Sequence, residues 1–127
     1  MPVEVHVVTP EREVWVGEAD QVTARGVEGD VGILAGHAPM LLQLAIGPLR
    51  ILRGDEPDLA AVIDGGFMHV ASSEGVTRVD VMATHAELAS EIDVADAQRR
   101  LEAAQALDDT AAEIEIAKAT ARISLLG

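Results

Sequence analysis

The chain has 127 residues, 49% hydrophobic but only 2% aromatic, and its 22 acids against 9 bases give a net charge of −13. That length makes one ordinary domain or two small units with a real core, built from Val, Ile, Leu, Ala and Met around the single Trp15 and single Phe67. The charge repels nucleic acid and anionic lipid, the absence of Cys rules out disulfides and thiolate chemistry, and so few aromatics offer little for stacking bases or sugars.

At the N-terminus, Val3, Val5 and Val7 alternate with Glu4 and His6, which predicts a half-buried strand. The opening MPVEVHVV lacks the basic start and cleavage site of a signal peptide. No apolar run approaches the ~20 residues of a membrane span, so direct membrane insertion is not expected. Short apolar runs follow at 13–16, 22–24, 49–52, 60–63, 67–70 and 76–82. Gly17, Gly47-Pro48, Gly54-Asp55, Gly65-Gly66 and Ser73-Glu74-Gly75 punctuate them as turns, at sandwich-like spacing.

Within this region "GDVGILAGHAPMLLQL", residues 29–44, sets glycines and Pro39 among a dense apolar run. Met40, Leu41 and Leu42 form a continuous triplet that strand alternation cannot bury on one face. Either a tight strand crossing needs this stretch or something docks on it.

Near residue 88 Gly and Pro vanish until Gly127 and alanines take over, which predicts helix. Asp93, or Ser90 with it, can cap a first helix whose face is Val94, Ala97, Leu101, Ala104 and Leu107. Thr110 and Glu113 make a capping box for a second, with Ile114, Ala117, Ala121 and Leu125 as its stripe and Ile116 and Ile123 widening it. The expected fold is therefore β + α: an N-terminal antiparallel β-sandwich over 1–87, followed by a C-terminal antiparallel α-helical hairpin over 88–127. An alanine seam packs closely but contributes little per side chain, so the hairpin's attachment reads as detachable.

Catalytic motifs are scarce. The only lysine, Lys118, sits in the second helix and not at the end of a phosphate-cradling loop; Gly26, Gly29 and Gly32 are spaced three apart; Ser72 and Ser73 lack the upstream glycine of a nucleophile elbow. His6, His37, His69 and His85 leave one enzyme alternative, a small metal-dependent jelly-roll enzyme, although none shows H-x-H or H-x-x-x-H spacing.

Three ordered blocks carry a resemblance. "EGDVGILAGHAPMLLQLAIGPLRI" is similar to the first signature of the ε subunit of F-type ATP synthases, with Ala35 at the usual proline. "DGGFMHV", residues 64–70, resembles the second, and "ASEIDVADAQRRLEAA" resembles the start of the family's C-terminal hairpin. The resemblance implies a non-catalytic central-stalk rotor subunit of a proton-translocating ATP synthase, peripheral on the cytoplasmic side of the bacterial cell membrane. Its implied partners are the γ subunit and the c-ring, and the catalytic α/β head when the hairpin extends to inhibit hydrolysis. It implies a partner interface at Asp30, His37, Met40, Leu41 and Leu42, in a compact loop at the sandwich's lower end. It implies no required cofactor, and a regulatory ATP set of Glu87, Asp93, Ala97, Lys118 and Arg122 with Ile92 beside it. Asp96 occupies the position of that motif's arginine and places a negative charge near the polyphosphate.

Overall fold

The computed structural model describes residues 2–92, 94–105, 114 and 116–121. The alternating valines form β1 (Val3–Val8), with Val3, Val5 and Val7 buried and Glu4, His6 and Val8 turned outward. β2 (Glu13–Ala19) pairs antiparallel with it. β3 (Gln21–Gly26) and β4 (Gly29–Leu34) form a tight hairpin, closed by Gly26 opposite Gly29. At φ +134°, Gly29 holds a backbone shape that a side chain would strain.

Two long strands organise the rest. β5 (Met40–Leu52) and β6 (Leu59–Ser73) pair antiparallel from end to end, in one register that breaks only between Leu44 opposite Gly66 and Ile46 opposite Asp64. At that corner Gly65 and Gly66 adopt φ +108° and +130°. A Cβ on Gly66 would collide with the Met82 carbonyl oxygen and stand 2.8 Å from Ala83 Cα, so the close approach of β6 to its neighbour requires glycine.

The strand order β2-β1-β7-β6-β5-β3-β4 wraps around this corner into two layers. On one side, Gly66–Ser73 of β6 meets β7 (Val76–Ala83), which carries β1 and β2. On the other, the first half of β6 takes the short β8 (Ala86–Leu88) and the second half of β5 takes β3 and β4. The expected sandwich thus forms, but not as a purely antiparallel one: β1 runs parallel to β7, Val3 opposite Thr77 through Val8 opposite Met82.

Side chains from both layers close one core, including Val5, Ile33, Leu49, Ile51, Met68 and Val79, each at most 1% exposed. Burial of each such side chain is worth roughly 1.5–3 kcal/mol. The expectation that Phe67 shares this interior is corrected. Met68 and Val70 take the inward positions of β6, which leaves Phe67 48% exposed on the outer face. Trp15 is half-buried, with the Arg53 guanidinium 5.9 Å from its ring centroid.

After β8 a 3-10 turn (Ala89–Glu91) leads to α1 (Val94–Gln105), in which Ala97 is buried. Residues 116–121 are helical as well. Their orientation differs from the expected stripe: Ile114 is 46% exposed and Ala117 is exposed, whereas Ala119 is buried. Two positions along a helix are about 200° around it, so a different side is turned inward. The linking segment, with Thr110 and Glu113, and the expected cap at Asp93 lie outside the described residues.

Candidate functional site

Residues 29–44 do not make one compact loop. The first six are β4, the last five begin β5, and only 35–39 are non-strand. Asp30 and His37 are therefore not brought together: strand rise puts Asp30 about 13 Å from Leu34, with His37 beyond that end. Asp30 is exposed beside the β3–β4 turn and accepts from Arg25 Nε at 3.3 Å. The crossing segment around His37 is tied to the β6–β7 end. Gly36 N–H donates to Thr77 Oγ1 at 2.7 Å, Ser72 Oγ–H donates to the His37 carbonyl at 3.0 Å, and His37 Nδ1 lies 2.7 Å from the Ala38 carbonyl. These bonds satisfy backbone polar groups that a crossing between layers would otherwise leave stranded.

The apolar triplet splits by alternation after all. Met40 and Leu42 pack partly against the core, while Leu41 is 66% exposed. Leu41 stands in a row with His69, Asp80, His6 and Val16 across four ladders. The neighbouring row is Gln43, Phe67, Met82 and Val8. Phe67 and Met82 are each more than 40% exposed, and with Val8, Pro10 and Gly66 they line an open apolar hollow of about 420 Å³. This outer face was missed from sequence. The signal for it was that each parity of "GFMHV" holds a large apolar residue, Phe67 in one and Met68 and Val70 in the other, so that one set had to face out.

The histidines do not assemble. His6 Nε2 meets Glu4 at 3.0 Å, His85 Nε2 meets Glu87 at 3.3 Å, and Asp80, which stands between His6 and His69, is taken up by Arg78 at 3.0–3.1 Å. Among the described residues no three His, Asp or Glu side chains gather closely enough to hold a metal ion, so the metal-enzyme alternative gains no support.

Where the helices meet the sandwich, Arg12 on the β1–β2 turn donates to both oxygens of Glu91, at 2.8 and 2.9 Å. The Arg12 guanidinium, helped by the Leu88 N–H, holds the Glu91 carboxyl below its usual range. Farther along, Lys118 Nζ reaches Asp64 Oδ2 at 3.8 Å. Residues 117, 120 and 121 form one wall of a cleft of about 480 Å³, and Arg25, Asp30 and Arg50 form the other. Of the ATP set, Glu87 is half-buried on β8, Ala97 is buried in α1, and Lys118 turns to Asp64. Asp93 and Arg122 fall outside the described residues. Asp96 accepts from Arg100 at 2.9 Å and lies 3.7 Å from Arg99. Among the described residues no helix is long and apolar enough to cross a membrane.

The family model for the ATP synthase delta/epsilon chain, beta-sandwich domain, matches residues 2–89. The ATP synthase epsilon chain of Thermobifida fusca is 45% identical over 123 residues, covering 94% of this chain and 88% of its own length. That of Halalkalibacterium halodurans is 37% identical, covering 97% and 96%. Among solved structures, a chain of the Euglena gracilis mitochondrial ATP synthase OSCP/F1/c-ring assembly superposes with a TM-score of 0.81 at 27% identity, covering 99% of this chain and 82% of that one. With a sandwich in the same place in the sequence and such identity along nearly its whole length, the chain belongs to the ATP synthase delta/epsilon family.

Proposed function

We propose that the chain works as the ε subunit of a proton-driven, F-type ATP synthase, joining the γ subunit to the c-ring in the central stalk on the cytoplasmic side of a bacterial membrane. The observation that carries this reading is the end-to-end likeness to epsilon chains, on a fold shared with a chain of an F1/c-ring assembly. The subunit makes and breaks no bonds itself; it transmits torque through the surfaces it offers.

Two surfaces suit that work. The outer face around Leu41, Phe67 and Met82 supplies apolar anchors for γ, because large exposed hydrophobes clustered on a rigid sheet lose water on docking at little entropic cost. Asp30, exposed and paired with Arg25 at the surface, can exchange that partner for a cation of the ring's polar loops. His37 and the segment it anchors keep the neighbouring crossing rigid.

The helical segment after Leu88 serves as the regulatory part, restraining hydrolysis when it leaves the sandwich for the α/β head. ATP is a poor candidate for the signal. The charge at Asp96 opposes a polyphosphate, and Lys118 is turned to Asp64.

Reconstitution tests the reading. Adding the chain to the matching synthase stripped of ε should restore coupled pumping, and Asp30→Arg should weaken rotor assembly. Unchanged coupling on addition of the native chain would defeat the assignment.

A further inference from the structure

Thr77 occupies the inward side of β7 with Val79, Val81 and Ala83, and at 2% exposed it is a polar residue where burial alone would have put valine. Its hydroxyl is used. Gly36 N–H donates to Thr77 Oγ1 at 2.7 Å, and Ser72, directly opposite Thr77 on β6, has its Oγ 3.3 Å from Thr77 Oγ1 and 3.0 Å from the His37 carbonyl. A carbonyl can only accept, so the Ser72 proton goes to His37 and the Thr77 proton must go to Ser72. The two hydroxyls form a one-way relay from the Gly36 N–H to the His37 carbonyl, and so grip the crossing between β4 and β5 at two successive residues.

His37 is thereby held at every polar group but one. Its N–H donates to the Leu34 carbonyl at 3.1 Å, its carbonyl accepts from Ser72, and its ring Nδ1 lies 2.7 Å from the Ala38 carbonyl. The last contact requires Nδ1 to carry the proton, so in the neutral ring Nε2 bears only a lone pair. Among the described residues nothing meets that nitrogen. The same atom of His6 and of His85 is engaged by a carboxylate, from Glu4 and Glu87.

We propose that His37 is a specificity-determining hydrogen-bond acceptor for γ: the Thr77–Ser72 relay and the Ala38 carbonyl preset its Nε2 lone pair to receive an N–H from an arginine or lysine of that subunit. The choice of γ rests on the ε-subunit reading and on continuity. Leu41, on the strand that follows the crossing, opens the outer face proposed for γ, whereas Asp30, proposed for the ring, lies toward the other end of β4. The choice of a cationic donor follows from the chain's net charge of −13, which draws cations and strengthens the bond they make. A ring already fixed in tautomer and place loses little freedom when the donor arrives. A wrong partner offering only a carbonyl or carboxylate finds no proton at Nε2, and that is how the residue discriminates.

Long-range proton–nitrogen correlation spectra of the isolated full chain, taken at mildly alkaline pH, test the preset ring without any appeal to the synthase. His37 should show the Nδ1–H tautomer, the form a free histidine side chain disfavours. Thr77→Val should shift it toward Nε2–H, with hydrogen-exchange protection of β2 and β3 unchanged. An Nε2–H ring in the native chain, or a tautomer untouched by Thr77→Val, would overturn the proposal. Binding to the isolated γ subunit gives the second readout. Gln sets an amide oxygen near the place of Nε2 and Asn sets one near Nδ1, so His37→Gln should keep most of the affinity and His37→Asn should lose about tenfold. Equal affinity of His37→Asn and the native chain, or equal losses in the two variants, would overturn the acceptor role. A native chain that binds no γ at all would defeat the ε-subunit reading and the choice of partner with it, while the tautomer result would stand.

Discussion

Arg12 and Glu91 are 79 residues apart in sequence and meet fork to fork, Nη1 to Oε2 at 2.9 Å and Nη2 to Oε1 at 2.8 Å. The pair staples the first turn of the sandwich to the segment leading into α1. Glu91 is fastened to both Arg12 and the Leu88 N–H, so the sandwich's tether ends just ahead of α1.

Acid should loosen this staple. The folded-state pKa of Glu91 lies below the ordinary carboxylate value of about 4.3, so its contribution is present above that pH and is lost as pH falls through the depressed value. Because the pair is partly exposed, Glu91→Gln should cost at most about 1 kcal/mol at neutral pH. Urea unfolding of both proteins between pH 7 and pH 3 should give curves that converge on the acid side; a constant gap would show that ionisation of Glu91 is not what matters.

Gly66→Ala should be among the most damaging single changes in the sandwich. The added methyl meets the Met82 carbonyl and Ala83 Cα, backbone atoms that cannot swing aside, at a φ of +130°. A loss of about 3 kcal/mol is expected, read as a lowered thermal midpoint. Gly36→Ala, also at positive φ but with open space around the new methyl, should cost distinctly less.

Phe67→Ser and Met82→Ser should separate folding from docking. Both side chains face outward, so stability of the free chain should stay within about 0.5 kcal/mol of native. Affinity for the γ subunit should fall roughly tenfold to a hundredfold, as for a central anchor. Undiminished binding by surface-immobilised γ would move the docking site elsewhere on the sandwich.

Nucleotide binding has its own discriminating variant. Calorimetry of the native chain should give no saturable heat at millimolar ATP, and Asp96→Arg should tighten binding by about tenfold or more by replacing repulsion with attraction. Strong binding by the native chain would mean that Arg99 or Arg100 takes over the missing role.

How much of this was legible in the sequence depends on whether one strand parity or two was apolar. In β1 only Val3, Val5 and Val7 could face inward, against Glu4 and His6, and the assignment follows at once. In "GFMHV" both parities carry large apolar residues, so the exposure of Phe67 is decided by the corner at Gly65-Gly66, which no local pattern announces. The 29–44 stretch was legible as composition but not as shape. Its glycines serve one strand, β4, and a crossing tied down by Thr77 and Ser72 from far along the chain. The pairing of Lys118 with Asp64 was hidden for the same reason, because a carboxylate in a strand reads as solvent-facing until a distant helix covers it.

The shared ladder of β5 and β6 has a mechanical meaning. Each of these strands belongs to both halves of the sandwich, so sliding one half over the other must rupture the same row of backbone bonds rather than merely shear a greasy interface. A part loaded at opposite ends by its neighbours would thus deform as one stiff beam, and compliance in the stalk has to be sought outside it.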